Sequence, residues 1–148
     1  MVYAPIERYI TVLDTSVLLK WFRQGEVLAD RALALRDAYL EGRISVAVPS
    51  LVAYEVTNVL RYKNDMTTDQ VQEAVESLLD MNLAWMAPTS DVLRRTIEIS
   101  RACDTTVYDA AFAALAESLD ASFITADEAL ARRLEAFPFV FPLGDVLP

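Results

Sequence analysis

Tyr9-Ile-Thr-Val-Leu-Asp14-Thr-Ser16-Val-Leu-Leu-Lys-Trp-Phe22 changes character once, at Asp14. Before it, Tyr9 to Leu13 alternates and is β-branched, which reads as a strand. After it, Thr15 to Phe22 reads as a short helix, broken by Arg23-Gln24-Gly25. Strands and helices go on alternating downstream. Glu26 to Glu41 is rich in Ala, Leu and Arg and reads as a helix stopped by Gly42. Ser45 to Val48 is a second strand, closed by Pro49, and Ser50 reads as the N-cap of a helix to about Asn64. Thr67 starts a helix to about Met81, and Leu83 to Met86 is a strand. Ser90 caps a helix to about Ala102, and Thr105 or Thr106 caps the next, Val107 to Leu119. Ser122 to Thr125 is a strand, Ala126 to Ala136 a helix and Phe139 to Phe141 a last strand. This order predicts one α/β domain over residues 1–148, with a mostly parallel sheet covered on both faces. Residues 1–8 form an N-terminal extension with no readable role.

Four acids in this pattern sit inside apolar runs: Thr-Val-Leu-Asp14, Ala-Tyr-Glu55-Val, Val-Tyr-Asp109-Ala-Ala-Phe and Phe-Ile-Thr-Ala-Asp127. Carboxylates are almost never fully buried unless paired or bound to a metal. Each also has an ordinary reading. Asp14 and Asp127 follow strands and precede helices, which suits an N-cap. It equally suits a ligand site, because open parallel sheets bind ligands beyond the carboxyl ends of their strands. If those strands are neighbours, the two acids lie together. Ser16 can position a metal-bound water or cap the helix itself, and Thr125 offers a hydroxyl beside Asp127. Glu55 lies on a helix face with Leu51, Val52, Asn58 and Val59, otherwise core-like, where Asn58 is the expected partner. Asp109 opens the most apolar helix of the chain, where dipole compensation is the alternative.

Absent residues narrow the chemistry. The 148-residue chain has no His and only Cys103, so neither a His/Cys zinc site nor a His-activated nucleophile can be built. Cys103 reads as a small core residue, and a lone cysteine fits a reducing, cytoplasmic setting. With only Gly25, Gly42 and Gly144, there is no Walker A loop or dinucleotide turn. The start reads as no signal peptide, and no apolar run is long enough for a membrane span. The formal charge of -9 argues against broad phosphate neutralisation, though not against a phosphate bridged through a metal.

The four acids share one predicted address, the edge where strand ends and helix N-termini meet. Two carboxylates 4 Å apart repel by about 4 kcal/mol at an effective dielectric of 20. A divalent cation relieves that repulsion, and all-oxygen ligands select Mg²⁺ or Mn²⁺ over zinc. A carboxylate-held ion of this kind with open positions suits phosphoryl transfer. Asp104 is the first reserve ligand, in the loop ahead of the Asp109 helix. Asp91 reads as dipole compensation, and Asp69, Glu73, Glu76 and Asp80 as a solvated helix face.

These pieces resemble a known family. Val-Leu-Asp14-Thr-Ser16-Val-Leu-Leu, Tyr-Glu55-Val-Thr-Asn58-Val-Leu, Tyr-Asp109-Ala-Ala-Phe-Ala-Ala-Leu-Ala-Glu and Ile-Thr125-Ala-Asp127-Glu-Ala-Leu look like a PIN-domain protein. The resemblance is to the toxins of VapBC toxin–antitoxin pairs and covers roughly residues 10 to 142. It implies a PIN-like α/β/α sandwich and a metal-dependent endoribonuclease. It implies Asp14, Glu55, Asp109 and Asp127 as Mg²⁺ or Mn²⁺ ligands, Asn58 and Thr125 behind them and Ser16 near the metal. An antitoxin partner, a homodimer and an RNA substrate are implied as well. Phe112 departs from the family, which often has Tyr there. Lys20, Arg23, Arg61, Lys63, Arg132 and Arg133 are candidates for guiding RNA.

Rival readings differ in kind. One is a non-catalytic PIN module that binds RNA or a partner protein. Another is a different Mg²⁺ phosphotransfer enzyme. A receiver domain wants paired acids and a late Lys, but no Lys follows Lys63. A haloacid-dehalogenase-type phosphatase wants Asp-x-Asp, and this chain has Asp14-Thr-Ser16. One metal ion or two fits four carboxylates equally.

Overall fold

The structure, a computed structural model, describes residues 10–146. The expected N-terminal extension, and Tyr9 at the start of the first predicted strand, lie outside the described residues. Within them, five strands and seven α-helices follow the predicted order: β1 (Ile10–Leu13), α1 (Thr15–Leu19), α2 (Ala29–Leu40), β2 (Ser45–Pro49), α3 (Val52–Arg61), α4 (Thr68–Asp80), β3 (Ala84–Met86), α5 (Ser90–Cys103), α6 (Val107–Ser118), β4 (Ser122–Thr125), α7 (Glu128–Arg133) and β5 (Val140–Pro142). A 3₁₀ turn, Leu143–Asp145, follows.

The sheet order is β3-β2-β1-β4-β5, and every pairing is parallel. The expected mostly parallel sheet is therefore wholly parallel, in an α/β/α sandwich. After β1 the chain steps to β2 and β3 on one side, then crosses to β4 and β5 on the other. That reversal opens a crevice between the carboxyl ends of β1 and β4, where open α/β sheets bind ligands. The register aligns Leu13 with Ile124, so Asp14 and Thr125 follow side by side.

Parallel strands buried on both faces require near-continuous apolar sequence. Val12, Leu13, Phe123 and Ile124 are all fully buried. Helix α6 packs on β1, β2 and β4 and against α5. Its Ala110, Phe112, Ala113, Ala114, Leu115 and Ala116 are buried. Small Ala side chains let this helix sit close to the sheet, and Phe112 stacks on Phe123 with ring centres 5.5 Å apart. The departure from Tyr at position 112 is thus a core contact.

Several helix starts move by a residue or more. Ser50 does not cap α3: its N–H donates to the carbonyl of Met86 at 3.0 Å, extending the β2–β3 pairing. The helix begins two residues later behind Leu51, with no side-chain cap. Helix α2 starts at Ala29 behind a left-handed Leu28, because Glu26 is engaged with Lys20 and Arg23 instead. Thr89, not Ser90, caps α5 by accepting from the N–H of Val92. Thr67 does cap α4, in a reciprocal pair with Gln70. Thr106 caps α6. Among the described residues, no helix is long and apolar enough to cross a membrane.

Candidate metal centre

Strand pairing places the first acid. The Asp14 N–H donates to the carbonyl of Ile124 at 3.0 Å, stitching the end of β1 to β4. Its own carbonyl accepts from Val17 and Leu18 and starts α1. The side chain, however, makes no cap. Both contacts to its Oδ2 are hydroxyls, Ser16 Oγ at 2.6 Å and Thr125 Oγ1 at 2.8 Å. The ordinary N-cap reading of Asp14 therefore fails for its side chain. The two hydroxyls are fixed in turn. Ser16 Oγ accepts from the Ala126 N–H, and Thr125 Oγ1 from the Asp127 N–H, each at 3.0 Å. Two β4–α7 amides thereby orient the donors that hold the buried Asp14 carboxylate.

Asp127 does act as an N-cap: its Oδ1 accepts from the Leu130 N–H at 3.0 Å and starts α7. Glu55 is half-buried near the start of α3. Its partner is not the expected Asn58, which is exposed and makes no side-chain hydrogen bond among the described residues. Thr15 Oγ1 donates to Glu55 Oε1 at 2.7 Å instead. Asn58 is exposed, whereas α1 packs on α3 and presents the buried Thr15 to Glu55. Thr15 escaped the sequence reading. The only signal was a hydroxyl beside Asp14 in a helix first turn.

Charge couples the four positions. Burial holds the Asp14 carboxyl above its ordinary value, against the two hydroxyl bonds, and the charges of Asp109 and Asp127 raise it further. Glu55 is raised by burial, against its Thr15 bond, and then by Asp14 and Asp109. Asp109 is raised by burial and by Asp127, with the Thr106 hydroxyl opposing. Among the described residues, none of the four carboxylates pairs with Lys or Arg. The arrangement is a set of mutually repelling acids, none of them in an ion pair among the described residues, at the crevice the sheet order opens. Even so, among the described residues no trio of acids and Cys is placed so that it could hold one metal ion. Sharing an ion therefore requires side-chain rotation, for which half-buried Asp109 and exposed Asp127 have room.

Asp109 and Asp127 also line an open cleft of about 380 Å³, together with Asp104, Thr106 and Arg133. Asp104, the reserve ligand, is exposed at the end of α5 and pairs with Arg133. Asp91 is exposed at the start of α5, and Asp69, Glu73, Glu76 and Asp80 form an exposed face of α4, both as read from the sequence.

The fold has close parallels among solved structures. A toxin–antitoxin complex from Klebsiella pneumoniae superposes with a TM-score of 0.67 at 18% identity, covering 90% of this chain and 97% of that one. FitAcB from Neisseria gonorrhoeae gives 0.68 at 16% identity, covering 91% and 99%. DNA-bound VapBC from Salmonella typhimurium gives 0.67 at 14% identity, covering 91% and 98%. No curated protein matches the chain in sequence. The family model for the PIN domain matches residues 11–135, and the chain belongs to the PIN-domain family.

Proposed function

We propose that this chain is a metal-dependent endoribonuclease, the toxin of a type II toxin–antitoxin pair. The observation that carries the reading is Asp14: a buried carboxylate with no cationic partner among the described residues, held by two oriented hydroxyls and coupled to three further acids. The donor set is all oxygen, which suits Mg²⁺, with Mn²⁺ as a substitute. Asp14 and Asp109 would anchor the ion, and Glu55 and Asp127 would complete its shell or orient water. The chemistry a bound ion supplies is Lewis-acid activation of water and of a phosphate oxygen. Ser16 and Thr125 hold Asp14 in place, and Thr15 does the same for Glu55. Hydrolysis in line would leave a 5′-phosphate and a 3′-hydroxyl. An antitoxin partner is proposed because the similar solved structures include toxin–antitoxin complexes. A homodimer is proposed from the family resemblance alone.

A second reading draws on a specific observation. Because, among the described residues, no trio of acids is placed to hold one ion, a non-catalytic PIN module that binds RNA or a partner protein also fits. Mapping 5′-phosphate RNA ends across the transcriptome, after induced expression of wild type or Asp109→Asn, separates the two. New ends at a discrete set of sites, absent in the variant, are expected. Identical end maps from two folded, inhibitor-free proteins would refute the nuclease and favour the module.

A further inference from the structure

Among the described residues, Arg133 is the one cation lining the cleft that holds Asp109 and Asp127. It closes α7, the short helix that Asp127 caps, so a single turn-and-a-half of helix presents an acid at one end and a guanidinium at the other. Arg133 Nη1 donates to the backbone carbonyl of Asp104 and, at 3.2 Å, to Asp104 Oδ2. Asp104 adopts a left-handed conformation (φ 53°) at the end of α5, which turns its carbonyl toward this contact. The pair is weak by construction. The side chain of Asp104 is 99% exposed and that of Arg133 51%, and exposed ion pairs contribute little in water. Of the other candidates, Lys63 and Arg132 make no ion pair among the described residues and do not line this cleft, and three are engaged elsewhere. Arg23 pairs with Asp65 and Glu26, Lys20 with Glu26, and Arg61 lies over Tyr62.

We propose that Arg133 binds an RNA phosphate adjoining the scissile bond, and that Asp104 holds it at the cleft's rim until RNA displaces the pair. The inference rests on the ribonuclease reading and names the group that retains the substrate. A guanidinium presents a planar fork that matches two phosphate oxygens, and an exposed carboxylate is easily exchanged for one. A chain with a formal charge of -9 has particular need of a cation at this point. Arg133 is a positioning residue, because nothing places it on the reacting atoms.

The test is fluorescence anisotropy with a short, labelled, mixed-sequence single-stranded RNA and Mg²⁺, with the full chain carrying Asp109→Asn to block turnover. Arg133→Ala should weaken binding roughly ten- to hundredfold. It should also make the slope of log Kd against log salt shallower by about 0.7, the value of one lost phosphate contact on a single strand. Arg133→Lys should keep the slope and lose part of the affinity. Asp104→Ala should tighten binding, an opposite sign that a merely structural role would not produce. An unchanged Kd and slope in Arg133→Ala overturns the proposal, as does a parent protein with no salt-dependent binding. The slope judges Arg133 whether or not wild-type protein cleaves RNA, so the two readings fail separately.

Discussion

Thr125 Oγ1 donates to Asp14 Oδ2 at 2.8 Å, joining the ends of two adjacent parallel strands through a buried hydroxyl and a buried carboxylate. The same oxygen of Thr125 accepts the Asp127 N–H, so one hydroxyl links two of the four acids. Replacing Thr125 by Val keeps the shape and removes both roles. A hydrogen bond to a charged group contributes about 1.5–3 kcal/mol. Thr125→Val should lose stability on that scale at neutral pH and less where Asp14 is protonated. Urea unfolding at the two pH values checks this.

Repulsion among the acids predicts an unusual variant. Asp109 faces the charge of Asp127 and acts on both Asp14 and Glu55. Asp109→Asn should leave the chelated protein as stable as wild type, or stabilise it by on the order of 1 kcal/mol, the scale of two unit charges 4 Å apart in water. RNA cleavage should fall by more than the roughly 10–100-fold that an outer-shell partner costs. Thermal unfolding in chelator and a cleavage assay read the two effects. An active variant would remove Asp109 from the site.

The raised carboxyls of Asp14, Glu55 and Asp109 set a direction for pH. Each binds its proton more tightly folded than unfolded, from ordinary values of 3.8 for Asp and 4.5 for Glu. Their contribution to stability is fully present below those values and is lost as pH rises through the raised folded ones. In chelator, wild type should therefore lose stability relative to Asp109→Asn as pH increases above 4.5. Mg²⁺ or Mn²⁺ should restore it at neutral pH. Parallel curves for the two proteins would contradict the coupling.

Thr15 and Asn58 offer a direct contrast between what structure and sequence assign. Thr15 holds Glu55 at 2.7 Å, whereas Asn58 is exposed. Thr15→Val should reduce metal affinity or activity roughly 10–100-fold, as loss of an outer-shell partner does. Asn58→Ala should do less. Calorimetric titration with Mn²⁺ ranks them.

Much of this architecture was legible because its signals are local. Val12, Leu13, Phe123 and Ile124 must be apolar in a strand covered on both faces, and Thr67 with Gln70 spells a helix start. The four acids stood out because charge in an apolar run demands an explanation. What escaped depends on contacts distant in sequence. Ser50 carries a capping side chain, yet its backbone is spent on Met86. Glu26 suits a helix start, yet pairs with Lys20 and Arg23. The partner of Glu55 is 40 residues away, across an α1–α3 contact that no periodicity encodes. The placement of β4 beside β1 came only as a condition, since strand order is set by the crossovers.

Anomalous diffraction from crystals soaked in Mn²⁺ addresses the proposed metal centre most directly. A peak should lie between Asp14 and Asp109, with Glu55 or Asp127 turned toward it and carboxylate oxygens within roughly 2.0–2.6 Å. It should vanish in Asp14→Asn. No peak in the crevice, or peaks confined to exposed acids such as Asp69 and Glu73, would contradict a metal-dependent nuclease built on these four residues.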